Sequence, residues 1–89
     1  MRESNIREAL TARIKSYGGE ERALKYLGRN NCPDVLVLLS SRHLLVETKR
    51  PKKKATEAQA REHDRLRRAG FHVFVITTLE ELDSRFPPV

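Results

Sequence analysis

The chain has no tryptophan, one cysteine and only three phenylalanines, and no apolar run approaches a membrane span, which takes roughly 20 residues. Each scarcity excludes something. One cysteine, Cys32, rules out an internal disulfide framework and fits a reducing compartment. The three histidines, His43, His63 and His72, are scattered without zinc-ligand spacing, so a zinc finger is excluded. The opening Met1-Arg2-Glu3-Ser4-Asn5 begins no signal peptide, and a cytoplasmic location with no membrane partner is expected. With 89 residues and a hydrophobic fraction of 38%, residues 1–89 form one domain with a thin core. A homodimer is expected to supply further burial.

Positive charge is abundant. Eighteen Lys and Arg against twelve Asp and Glu give +6, unevenly distributed. Lys49-Arg50-Pro51-Lys52-Lys53-Lys54 places five positive charges in six residues, and Arg61, Arg65, Arg67 and Arg68 follow on a predicted helix. Clustered cations of this kind attract a polyanion, most often a phosphate backbone. No Trp or Phe is interleaved with the run, which favours backbone contact with duplex over stacking on single-stranded bases.

Two acids sit in the most strand-like part of this polar chain. Residues 35 to 39, Val-Leu-Val-Leu-Leu, and 44 to 46, Leu-Leu-Val, read as short buried strands. Asp34 precedes the first and Glu47-Thr48-Lys49 ends the second. A two-residue loop at Ser40-Ser41 would make a hairpin with Asp34 opposite Glu47, their Cβ atoms roughly 4.5–5.5 Å apart. Ser-Ser is not a preferred tight-turn pair, so a register shifted by one or two residues is the alternative, with diagonal neighbours still within metal-bridging reach. Glu47 and Lys49 share a pleat face. Ionised acids at a sheet edge need positive compensation, and this spacing has the form of a divalent-metal site. The basic run beside it favours a phosphodiester substrate.

The remaining elements follow from period and punctuation. Residues 4 to 17 predict an amphipathic helix through Ile6, Leu10, Ile14 and Tyr17, stopped by Gly18-Gly19. Glu3 at its start is either a third carboxylate near the hairpin or an acid favoured by the helix N-terminus. Residues 22 to 27 are read as a strand, which puts Lys25 on that strand and Arg29 in the following loop, both near Asp34. Cys32 reads as a packing residue, since no histidine is placed to activate it. A helix from about Ala55 to Ala69 carries Thr56 and Gln59 in a capping-box pattern; Gln59 either caps or points into the metal site. Gln59, His63, Leu66 and Gly70 share its inner, partly polar face. Residues 71 to 77 form a buried strand reached by a parallel crossover, and Thr78 opens a terminal helix whose apolar side is Leu79, Leu82 and Phe86. The second apolar strand and this helix are the expected dimer interface. The class is α/β: a mixed sheet flanked by helices, in the order α-β-β-β-α-β-α.

That order, with Glu3, Gly28-Arg29, Pro33-Asp34, Glu47-Thr48-Lys49, Gln59 and Gly70, resembles the PD-(D/E)xK nuclease superfamily and, within it, the small VRR-NUC group. The resemblance covers essentially the whole chain and implies a restriction-endonuclease-like fold and a Mg²⁺- or Mn²⁺-dependent DNA endonuclease. Asp34, Glu47 and the Thr48 backbone carbonyl would bind metal, with Glu3 a further candidate ligand. Lys49 would orient the attacking water or stabilise the pentacovalent phosphate, and Glu3 and Gln59 would support the site. Stand-alone members of the family, viral and bacterial, resemble dimeric Holliday junction resolvases. This implies four-way or branched DNA as substrate, inside a bacterial cell or phage-infected host. Flap or nicking activity of broader specificity is the alternative, and a catalytically silent DNA-binding module a second. DNA contacts are expected from Lys25, Arg29, Arg50, Lys52, Lys53, Lys54, Arg61 and Arg65. Asn30-Asn31-Cys32 departs from the family's small or basic loop residues.

Overall fold

The computed structural model describes residues 3–29, 31–50 and 53–89, and the side chains of Glu3 and Ser4 fall outside that description, as does all of Lys52. The elements run α1 (Glu3–Ser16), β1 (Glu20–Ala23), β2 (Val35–Leu38), β3 (His43–Thr48), α2 (Glu57–Arg68), β4 (His72–Ile76) and α3 (Leu79–Arg85). The four strands form one sheet in the order β1-β2-β3-β4, antiparallel except for the parallel β3–β4 pair that α2 connects. Class and element order are as the sequence predicts.

Local chemistry sets most of the boundaries. In α1, Ile6, Leu10 and Ile14 recur every fourth residue and are buried, the stripe that turns a helix toward a core. It ends in a Schellman arrangement: Gly18 has φ 74°, its N–H donates to the Lys15 carbonyl, and that of Gly19 donates to Ile14. Gly19 is also required sterically, because a Cβ there would lie 2.8 Å from the Leu38 backbone carbonyl oxygen as well as 2.6 Å from the Leu39 side chain. Thr56 and Gln59 form a reciprocal capping box at the start of α2, and Thr78 accepts from the Glu81 N–H to open α3.

The first strand lies earlier than expected, at Glu20–Ala23, which removes Lys25 from the sheet. The reason lies in the partner segment. The β1–β2 ladder pairs Glu20 with Leu38 and Ala23 with Val35, and the Leu24 N–H still donates to the Asp34 carbonyl. Before Asp34 the partner segment bends at Asn31, φ 66°, and leaves the ladder, so pairing stops after Leu24 and Lys25 turns out exposed.

Pleat alternation sorts the two faces. Val35, Val37, Leu44, Val46 and Ile76 pack with Ile6, Leu10 and Ile14 of α1 and with Leu82 and Phe86 of α3 in one cluster. On the opposite face Leu45 and Glu47 of β3 lie under α2, which buries Glu62 and His63. The assignment of the second apolar strand and of Leu82 and Phe86 to a dimer interface is therefore corrected. Leu44, Val46, Leu82 and Phe86 are all fully buried within this one chain, as members of its own core. Among the described residues, Leu27, Phe71 and Leu79 are left as exposed large apolar side chains besides Val89. No described helix is long and apolar enough to cross a membrane.

Candidate active site

The hairpin carries the two acids in the expected register. Val35 pairs with Val46 and Leu38 with His43, and the Leu39 N–H donates to the Arg42 carbonyl at 3.0 Å, leaving Ser40-Ser41 as the two-residue loop. The ladder ends at Val35 and Val46; its register continued by one residue would set Asp34 across from Glu47. The two acids sit in different surroundings. Glu47 is buried at 6% exposure, whereas the Asp34 side chain is 39% exposed at the mouth of the sheet. Lys49 follows Glu47 by two residues on the same pleat face, and its N–H donates to the Ile76 carbonyl at 2.9 Å, so the chain stays in line past the end of β3. Thr48 points to the opposite face and is buried there. Only its backbone is therefore left for the site.

Each acid has a basic neighbour that the sequence did not reveal. Nη1 of Arg7 on α1 lies 4.0 Å from Asp34 Oδ2, and its Nη2 lies 3.8 Å from Glu21 Oε1, with Thr11 donating to the same Glu21 oxygen at 2.5 Å. Beneath Glu47 sits His63 of α2, 1% exposed, with Nε2 3.9 Å from Glu47 Oε1. Burial holds the imidazole below its usual pKa, helped by the positive charge of Arg67.

A third acid organises the loop leading into Asp34. Glu62 is 5% exposed and receives two hydrogen bonds from Arg29, at 2.9 Å and 2.6 Å. Arg65 adds a contact at 3.2 Å, and the Cys32 thiol lies 3.5 Å from its second oxygen. The Arg29 bonds hold the Glu62 carboxyl down at about 2. Burial and the neighbouring carboxylate push the Cys32 thiol up, which agrees with a packing residue rather than a nucleophile. The Tyr26 phenol is raised by burial first, then by the negative charge of Cys32, Glu62, Glu47 and Asp34. It thus belongs to the same neighbourhood.

The other expected site residues divide. Gln59 Oε1 accepts the Thr56 N–H at 3.0 Å, so its oxygen is committed to the helix cap. Arg29 serves as the clamp on Glu62. Arg61 and Arg65 line an open cleft of about 330 Å³ together with Arg29 and Glu62. Arg50, Lys53 and Lys54 are exposed between β3 and α2. Among the described residues no group of three or more His, Cys, Asp or Glu side chains is close enough to hold a metal; the donors on hand are the two opposed carboxylates and backbone carbonyls, all hard oxygen.

No profile of a known protein family matches the chain. A protein of Acyrthosiphon pisum secondary endosymbiont phage 1, described as "Putative nuclease p44", is 36% identical over 90 residues, covering 100% of this chain and 96% of its own. A solved structure described as "VRR_NUC domain" superposes with a TM-score of 0.83 at 34% identity, over 92% of this chain and 90% of the other. Sequence likeness and fold likeness each run nearly end to end, across both acids and α2: the chain belongs to the VRR-NUC nuclease family.

Proposed function

We propose that this nuclease is a Mg²⁺- or Mn²⁺-dependent DNA endonuclease that cuts branched DNA, four-way junctions in particular, as a homodimer. The observation that carries the reading is the β2–β3 register, Val35 with Val46, which continued by one residue would bring Asp34 opposite buried Glu47, with Lys49 two residues on. Asp34, Glu47 and the Thr48 carbonyl are the residues that would hold the metal. Their oxygen-only donor set suits a hard cation, and Glu3, on the first turn of α1, is a further candidate. When bound, such an ion activates water and relieves negative charge on phosphorus. Lys49 adds a fixed positive charge on the phosphate side of Glu47, where it orients the water or stabilises the crowded phosphorus. Arg50, Lys53, Lys54, Arg61 and Arg65 line the outside of α2 and its approach, where they would track the backbone without reading sequence.

A four-way junction offers two equivalent strands, so two sites related by a two-fold axis match it. The test is incubation of the purified protein with labelled junction, flap, nicked and linear duplex DNA in Mg²⁺, Mn²⁺ or EDTA. Symmetric cuts on opposing junction strands, only with metal, are expected. Light scattering should give about twice the 10.3 kDa chain mass. A monomer that cuts one strand of a flap would replace the junction reading with a broader nuclease.

A further inference from the structure

Two consecutive residues of α2 reach the two acid-bearing segments by separate routes. Glu62 grips Arg29 and lies beside Cys32, in the loop that delivers Pro33-Asp34. His63 reaches across to β3, where its Nε2 lies 3.9 Å from Glu47 Oε1. That nitrogen is buried and makes no hydrogen bond to any described residue. A ring nitrogen removed from water calls for a polar partner, and the one it faces is the Glu47 carboxylate. The present separation is beyond a hydrogen bond, and closing it to about 2.9 Å takes a side-chain movement of roughly 1 Å.

We infer that His63 is a positioning residue for Glu47: its Nε2–H holds Oε1 of that carboxylate and thereby fixes where Glu47 presents its oxygens toward Asp34. This rests on the metal-site reading above. Three features support it. Glu47 lies mid-sheet with its backbone fixed in the β3–β4 ladder, opposite Val75, so only its side-chain torsions remain to be set. His63 sits in the middle of α2, a rigid element capped at its start. Glu62, the preceding residue, anchors the same stretch of α2 to the 29–32 loop, so the helix references both acids to one body. Partners that orient ligating carboxylates typically change metal affinity by 10–100-fold when removed.

The test compares His63→Gln, His63→Asn and His63→Leu, with Mn²⁺ binding to DNA-free protein measured by calorimetry and circular dichroism confirming the fold. A Gln amide nitrogen reaches the position of Nε2 and an Asn amide does not. His63→Gln is therefore expected within a few-fold of wild type, with His63→Asn and His63→Leu about 10–100-fold weaker. DNA binding in EDTA should be the same in all three. In cleavage assays the weak variants should need more Mn²⁺ but approach the wild-type rate once it saturates. Wild-type Mn²⁺ affinity in His63→Leu, or equal loss in Gln and Asn variants, overturns the role of His63 while leaving the metal site standing. Failure of the wild-type protein itself to bind Mn²⁺ overturns both.

Discussion

Phe86 decides whether α3 belongs to the core of one protomer or to a contact between two. Its ring is fully buried, 6.3 Å from Phe74 in an edge-to-face pair and 6.4 Å from Tyr17. Its carbonyl accepts from Arg13 of α1, which also pairs with Asp83 of α3 at 2.8 Å. Three elements thus converge on one side chain. Phe86→Ala should cost about 3–5 kcal/mol, from the transfer energy of the ring and the cavity left behind. A domain of this length holds only about 4–13 kcal/mol in total, at roughly 0.05–0.15 kcal/mol per residue, so the alanine variant loses from about a quarter of that stability to all of it. Phe86→Leu keeps most of the volume and removes both aromatic pairings, for about 1–2 kcal/mol. At about 4–8 °C per kcal/mol for a domain of this size, its Tm should fall by about 4–16 °C. Thermal unfolding followed by circular dichroism over a hundred-fold range of protein concentration is the assay. The core placement requires the same drop at every concentration. A drop that vanishes on dilution, together with loss of the dimer mass, would return Phe86 to the interface and refute the packing argument.

Asp34→Ala, Glu47→Ala and Lys49→Ala should each abolish cleavage while retaining DNA binding in a gel-shift assay, and a wild-type rate in any one removes that residue from the mechanism. The two acid variants should also lose metal-dependent stabilisation, which for an intact site is about 2.7 kcal/mol at a hundred-fold excess over Kd. Glu62 has a folded pKa of about 2 against an ordinary 4.5, so its contribution is fully present above about pH 4.5 and is lost as pH falls toward 2. Urea unfolding should show the gap between wild type and Glu62→Gln closing over that window, and a gap constant from pH 5 to 2 would contradict the Arg29 clamp. Neutralising Lys52, Lys53 and Lys54 together should weaken binding to every DNA shape and lower the log–log salt slope by roughly 0.9 for each phosphate no longer neutralised; an unchanged slope would leave these lysines facing solvent.

Much of the fold is legible in the sequence because its signals are local. The apolar stripe of α1, the Gly18-Gly19 stop, the Thr56–Gln59 box and the Ser40-Ser41 loop each lie within a few residues of what they determine. A two-residue loop gives the observed hairpin register, but Ser-Ser is not a favoured tight-turn pair, and it is the ladder of Val35 with Val46 that fixes it. The first strand departs from expectation for a non-local reason. The segment from 22 to 27 has strand propensity, but its extent is set by the partner segment, which bends at Asn31 and ends the pairing after Leu24. Propensity within a segment does not show where its neighbour's ladder ends.

The site divides along the same line. Asp34, Glu47 and Lys49 sit on one hairpin, so periodicity brings them together. Arg7, Glu62 and His63 reach it only through tertiary packing, 27 residues before Asp34 in one case and 28 and 16 after an acid in the others. A trace of them is present in the sequence. The face shared by Gln59, His63, Leu66 and Gly70 is too polar to be plain core, and a helix that buries Glu62 and His63 rather than leucines must find its polar partners beneath it. Arg29 in the loop before Asp34 is that partner for Glu62, and the Glu47 carboxylate on β3 is the group that His63 faces at 3.9 Å. The physical cost of a weak apolar face is offset by ionic and hydrogen-bonding interactions, and these can form only where the sheet carries charge. The polarity of α2 and the acids of the hairpin are two sides of one arrangement: the helix is polar because it covers a charged site.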